Sequence, residues 1–153
     1  MSAGAARGLS LSTLATYLRP VVTAALGESV VAVARRLRDR GVGCLVVTRE
    51  GHPVGIVTDR DVALRVVAEG RDARTTRVDD IVTYDPVILR DADTIEAAST
   101  AMAEHGVRRL PIVDGAGLVI GIVTADDLVV ALSGQLARLG ATIEDPADTG
   151  DSR

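Results

Sequence analysis

The feature that constrains this chain most is that it is written twice. Gly41-Val42-Gly43-Cys44-Leu45-Val46-Val47, followed by Gly55-Ile56-Val57-Thr58-Asp59-Arg60-Asp61, returns as Gly106-Val107-Arg108-Arg109-Leu110-Pro111-Ile112 and Gly121-Ile122-Val123-Thr124-Ala125-Asp126-Asp127. The offset is 65 residues at the first motif and 66 at the second, so the turn between them has gained one residue. Whatever fold one copy adopts, the other must adopt as well, and the two must bury their apolar faces together.

Each copy can be read locally. Upstream of each Gly-Val, apolar or small residues recur at helical spacing: Val30, Val33, Ala34 and Leu37, then Ile95, Ala98, Ser99 and Met102. Asp93 or Thr94 is placed to cap the second helix, with Glu96 three residues after Asp93, and Gly41 and Gly106 sit where a helix ends in a left-handed residue. Two β-branched runs follow in each copy, Leu45 to Thr48 with Val54 to Val57, and Leu110 to Val113 with Leu118 to Val123, and read as hairpins. A further helix follows each, Asp59 to about Glu69 and Ala125 to about Leu139. With first strands near Val21-Val22-Thr23 and Val87-Ile88-Leu89, each copy is β-α-β-β-α. The expected class is therefore α/β of the α+β type, with two pseudo-symmetric repeats packed through their sheets about a pseudo-twofold axis.

The expected division is an N-terminal extension over 1–16, a first repeat over 17–70, a polar linker with a short helix over 71–82, a second repeat over 83–140 and a disordered acidic tail over 141–153. The short helix is expected over Arg77 to Val82, and Asp79-Asp80 within it reads as solvated charge.

Composition narrows the function. A net charge of -4, no clustered basic run and only two aromatics, Tyr17 and Tyr84, argue against a nucleic-acid surface. No apolar run approaches the ~18 to 20 residues that cross a bilayer, so no membrane partner is expected. The single cysteine, Cys44, and the lack of a signal-peptide pattern point to a cytoplasmic setting. Cys44 reads as a small buried hydrophobe, and His52 and His105 as a turn residue and a helix-end residue without neighbours at metal-ligand spacing. No Ser/His/Asp or Cys/His arrangement emerges; no enzyme, metal or required cofactor is expected.

The repeated Gly-Ile-Val-Thr-x-x-Asp element ends a strand and opens a helix. Backbone N–H groups there favour anions, while Asp61 and Asp127 in the same turn would repel a bare phosphate but can accept from the two hydroxyls of a ribose. Thr58 and Thr124 can add a hydroxyl, and Ile56 and Ile122, two residues back, an apolar wall for a base. The same Thr-x-x-Asp spacing also describes a helix-capping box that needs no ligand. Arg108 and Arg109 precede a buried-looking strand, where they either seek an anion such as a phosphate or reach water along the strand edge. The first copy carries Gly43 and Cys44 there, so two clefts should differ in affinity.

These elements together resemble a tandem cystathionine β-synthase (CBS) domain pair, or Bateman module, over roughly Tyr17 to Leu136. The resemblance implies a regulatory module that binds an adenine nucleotide (AMP, ADP or ATP) between repeats and signals to an effector protein in trans. It implies Asp61 and Asp127 on ribose, Thr58 and Thr124 beside them, Ile56 and Ile122 against adenine, Arg108 and Arg109 toward phosphate, and Arg60 as a weaker contact. It also implies a homodimer. The alternatives are a ligand-independent dimerisation or interaction module, or a sensor of S-adenosylmethionine or NAD.

Overall fold

The computed structural model describes residues 13–144. The duplication appears as two small sheets and four helices. In the first repeat, β1 (Thr23–Ala25), β2 (Cys44–Arg49), β3 (His52–Thr58) and β4 (Thr83–Tyr84) form one sheet in that order; α1 (Val30–Arg40) crosses from β1 to β2, and α2 (Asp59–Val62) follows β3. In the second, β5 (Leu89–Arg90), β6 (Arg109–Val113) and β7 (Val119–Thr124) form the other, with α3 (Ile95–His105) and α4 (Ala125–Glu144). The register repeats too: Ala24 lies opposite Val47 as Leu89 lies opposite Ile112, and each hairpin slips register next to that residue.

Both helices are capped by hydroxyls: Thr94, one of the two residues expected, caps α3, accepting from Ala97 N at 3.2 Å, and Ser29, which the sequence reading did not name, caps α1, accepting from Ala32 N at 3.3 Å. Thr94 is thus the cap, and Asp93 instead accepts from Arg90 N at 2.7 Å. Gly41 and Gly106 end these helices in the left-handed region, φ 62° and 63°.

Four boundaries differ from the sequence reading. The first strands begin later, at Thr23 and Leu89. The helix after β3 opens into a π turn over Ala63–Val67, with Ala68 N donating to Ala63 O at 2.9 Å. The short helix is a single 3-10 turn, Val78–Asp80, whose two aspartates are not simply solvated: Asp79 accepts from Gly27 N at 2.6 Å and Asp80 from Arg77 N at 2.8 Å. Finally, α4 runs on to Glu144, so the first four residues of the expected tail are helical, and 145–153 lie outside the described residues.

Two cores lie under the helices. Val30, Val33, Leu37, Leu45, Val47 and Val57 anchor one; Ile95, Ala98, Met102, Leu110, Ile112 and Val123 anchor the other. A third cluster joins the repeats: Cys44, Val46 and Ile122, with Val21, Ile56 and Val119 packed against them. Cys44 to Val47 are therefore buried on both faces of β2, odd and even residues serving different cores.

The segments preceding each repeat are exchanged. Leu14, fully buried in a 3-10 turn, packs in the second repeat's core, and Arg19 exchanges backbone hydrogen bonds with Ile122 (3.0 and 3.1 Å). Val78, Ile81 and Val82 pack in the first repeat's core, and Thr83 pairs with Ile56. The motif glycines exist for this exchange. A Cβ at Gly55 would lie 2.3 Å from Val82 Cγ2 and 2.8 Å from Thr83 O; one at Gly121 would lie 2.9 Å from Leu18 Cδ2 and 3.1 Å from Arg19 O.

The hairpin tips also meet. Val119 N donates to Gly51 O at 2.9 Å. The related bond to Gly117 O cannot come from Pro53, which has no N–H; His52 Nδ1 donates it instead, at 2.9 Å.

Candidate functional site

Exchange of the preceding segments leaves a cleft of about 390 Å³ between the repeats, within the range of small-molecule sites. The first repeat contributes Ile56, Thr58 and Asp61, the second His105, Val107, Arg108 and Arg109, and the connection between them Thr83, Asp85, Pro86 and Val87. The acid of one copy and the arginines of the other thus face a common space. A larger hollow, 480 Å³, lies between α1 and the start of α2, but it holds neither Thr58 nor Asp61 and nothing from the second repeat.

Thr58 and Asp61 close a capping box at the start of α2. Asp61 N donates to Thr58 Oγ1 at 3.1 Å, while Asp61 Oδ2 accepts from Thr58 N and Thr58 Oγ1, both at 2.8 Å. Capping and ligand binding do not compete here, because a carboxylate offers about four acceptor positions and the box uses those of one oxygen. The other oxygen, Oδ1, has Arg65 Nε at 3.6 Å, an ion-pair distance beyond that of a hydrogen bond. Asp61 lines the cleft, and this oxygen keeps the two acceptor positions that a vicinal diol requires.

At the cationic end, Arg108 is paired only loosely, 3.7 Å from Asp126, with both side chains largely exposed, an arrangement that contributes little. Arg109 makes no hydrogen bond or ion pair among the described residues, and its Nη2 would be 3.2 Å from a Cβ at Gly43. The end of the Arg109 side chain thus lies beside Gly43, at the position where the second copy carries an arginine of its own. Cys44 beside it is buried, and burial pushes its thiol up, against the pull of Arg109. Arg60, at the exposed start of α2, does not line the cleft.

The second copy of the motif is arranged differently. Thr124 and Asp127 make the same box, with Oδ2 of Asp127 accepting from Thr124 N at 3.0 Å and Thr124 Oγ1 at 2.7 Å. Asp127, however, is buried, and its Oδ1 is gripped by Nε and Nη2 of Arg19. Ile122 is buried in the cluster between the repeats. The neighbouring cavity, about 280 Å³, is lined by Leu18, Arg19, Asp127 and Val130 among others, and neither Ile122 nor Thr124 borders it.

The sequence reading missed the part of the first cleft supplied by Thr83 to Val87, and it set His105 aside. Pro86, which follows the expected short helix, was the available signal. Among the described residues, no group of three or more His, Cys, Asp or Glu side chains is placed to hold a metal, and no helix is long and apolar enough to cross a membrane.

Comparison with known proteins decides the family. The CBS domain model matches twice, over residues 15–68 and 78–134. The chain belongs to the CBS domain family. The CBS domain-containing protein YhcV of Bacillus subtilis is 38% identical over 115 residues, which are 75% of this chain and 81% of that protein. The uncharacterized protein MK0525 of Methanopyrus kandleri is 35% identical over 112 residues, 72% of this chain, and the chain spans only 57% of that protein's length. The CBS domain protein PAE2072 of Pyrobaculum aerophilum, solved in complex with AMP, superposes with a TM-score of 0.70 at 26% identity, covering 80% of this chain and 98% of that one. The chain is thus a CBS domain pair, and the match indicates no catalytic family.

Proposed function

We propose that this CBS pair is a regulatory module that takes one adenine nucleotide in the cleft between Asp61 and Arg108/Arg109 and passes the change in packing to an effector protein in trans. The observation that carries this reading is the convergence, in one cleft, of a carboxylate oxygen without a hydrogen-bond partner, an apolar wall at Ile56 and two arginines without strong partners. Ribose binds at Asp61 with Thr58 beside it, the base lies against Ile56, and the phosphates meet Arg108 and Arg109. That a neighbour of this fold was solved with AMP supports an adenosine ligand.

Ile56 gives the ligand its leverage. It lines the cleft and also packs in the cluster that joins the two repeats, so a base seated on it has a different contact energy in each relative arrangement of the sheets. The module is further proposed to act as a homodimer, through apolar residues left exposed on its helices: Leu64 and Val67 after α2, and Val129, Val130, Leu136 and Ile143 on α4.

Thermal melting with AMP, ADP or ATP tests the ligand, with S-adenosylmethionine and NAD as competitors for the assignment. A ligand at a hundred times its Kd raises stability by about 2.7 kcal/mol. The rise should vanish in Asp61→Ala. A melting temperature unmoved by any of the five at millimolar concentration leaves only the capping role, and the chain is then an interaction module.

A further inference from the structure

We propose that Arg19 is a built-in occupant of the second motif, a latch that limits the pair to one ligand per chain. The inference rests on the reading of the first cleft as a nucleotide site, and it concerns why the duplicated site is not duplicated in use.

The argument is a count of acceptor positions. A carboxylate has about four. At Asp127, Thr124 N and Thr124 Oγ1 take those of Oδ2, and Nε and Nη2 of Arg19 take those of Oδ1. Nothing remains for a diol. At Asp61 the box is the same, yet Oδ1 has no hydrogen-bond partner among the described residues, its nearest cation being Arg65 Nε at 3.6 Å. The two acids follow the same Gly-Ile-Val-Thr lead and close the same cap, and they differ in the cation near Oδ1: Arg65, four residues on, stands off at 3.6 Å from Asp61, whereas at Asp127 that position is Ala131 and the exchanged segment brings Arg19.

That segment is fixed by backbone. Arg19 exchanges hydrogen bonds with Ile122 at 3.0 and 3.1 Å, and Leu18 lies against Gly121. The residue paired with the equivalent isoleucine, Ile56, is Thr83, which lines the open cleft and is too short to reach across it. Beside the exchange of Arg108 and Arg109 for Gly43 and Cys44, arginine against threonine at this register position is the difference that reaches the acid itself. The side chain of Arg19 is 65% exposed, so it closes Asp127 from the solvent side and can leave without unpacking a core.

Isothermal titration calorimetry of the full chain with AMP tests the latch. The unaltered chain should take one AMP, Arg19→Thr should take two with the first site's affinity kept within about twofold, and Thr83→Arg should take none. A single AMP in Arg19→Thr, with a cooperative melt confirming that it is folded, overturns the latch. Full AMP affinity in Thr83→Arg overturns it as well, and this variant carries the test if Arg19→Thr does not fold. The two readings fail separately. No AMP on the unaltered chain but one on Arg19→Thr would sustain the latch and remove the first cleft from the proposal; no AMP on either would remove both.

Discussion

Asp127 shows how one side chain can serve stability at a motif that also suggests ligand chemistry. Burial works to raise its pKa, but the hydrogen bond from Arg19 and those from Thr124 outweigh it and hold the carboxyl below its ordinary value. A group depressed on folding adds stability that is complete above its unfolded pKa of about 3.9 and is lost as pH falls toward the folded value. Removing the charge should therefore show in two ways. Asp127→Asn is expected to lose about 1 to 3 kcal/mol near neutral pH, because buried partners are left badly matched. It should also flatten the decline of stability below about pH 4. Urea unfolding at pH 7 and pH 3 reads both. Glu28, whose pKa is lowered chiefly by its hydrogen bond from Arg36, keeps its own part of the acid dependence in the variant. An unchanged difference between the two pH values would show that Asp127 contributes nothing through its charge.

At the scale of elements, the duplication made most of the fold legible. Helices α1 and α3, the two hairpins and the paired Thr-x-x-Asp corners all carry local signals, through periodicity, caps or β-branched runs, and seeing each twice fixed the spacing. The exchanged segments carry almost no such signal. β4 is two residues long, and Arg19 forms an isolated bridge, so neither has a period to detect. Their partners lie far along the chain, Arg19 and Asp127 being 108 positions apart. In a chain whose 17 basic residues are all arginine, nothing singles out Arg19 beforehand. The motif glycines did hold a clue, since a glycine inside a strand often marks the close approach of another backbone. Their role can be tested at Gly55. Glycine to alanine in ordinary strand geometry gains about 0.4 to 1 kcal/mol from the unfolded chain. Here the added methyl would meet Val82 Cγ2 at 2.3 Å and Thr83 O at 2.8 Å. Overpacking of this kind costs about 1 to 3 kcal/mol, so the clash wins. Gly55→Ala should melt lower and bind AMP more weakly, because β4 and the cleft residues after it must move. A variant as stable as the parent, with unchanged binding, would show that the exchanged strand does not fix the cleft.

For the whole molecule, the question is how the ligand proposed between the repeats would be sensed by a partner. Asp61 opens α2 at the cleft, and the turn that continues this helix carries Leu64 and Val67 out to the surface; α4 likewise begins beside Asp127 and carries Val129, Leu136 and Ile143 at seven-residue spacing. That spacing keeps one stripe of a helix facing one partner over about four turns. Burying a side chain of this size is favourable by about 1.5 to 3 kcal/mol, so a few such residues from each copy can hold a dimer together. A shift between the sheets at Ile56 and Ile122 would then tilt the very helices proposed to meet a second copy. Charge placed on the stripe should separate the two functions. Val129→Glu with Leu136→Glu is expected to sediment as a single chain while AMP affinity stays within about twofold, since neither residue lines the cleft. Sedimentation velocity of both proteins, with and without AMP, decides it. If the double variant keeps the parent's sedimentation coefficient, the stripe is not where copies meet, and the change in packing must leave the module by another surface.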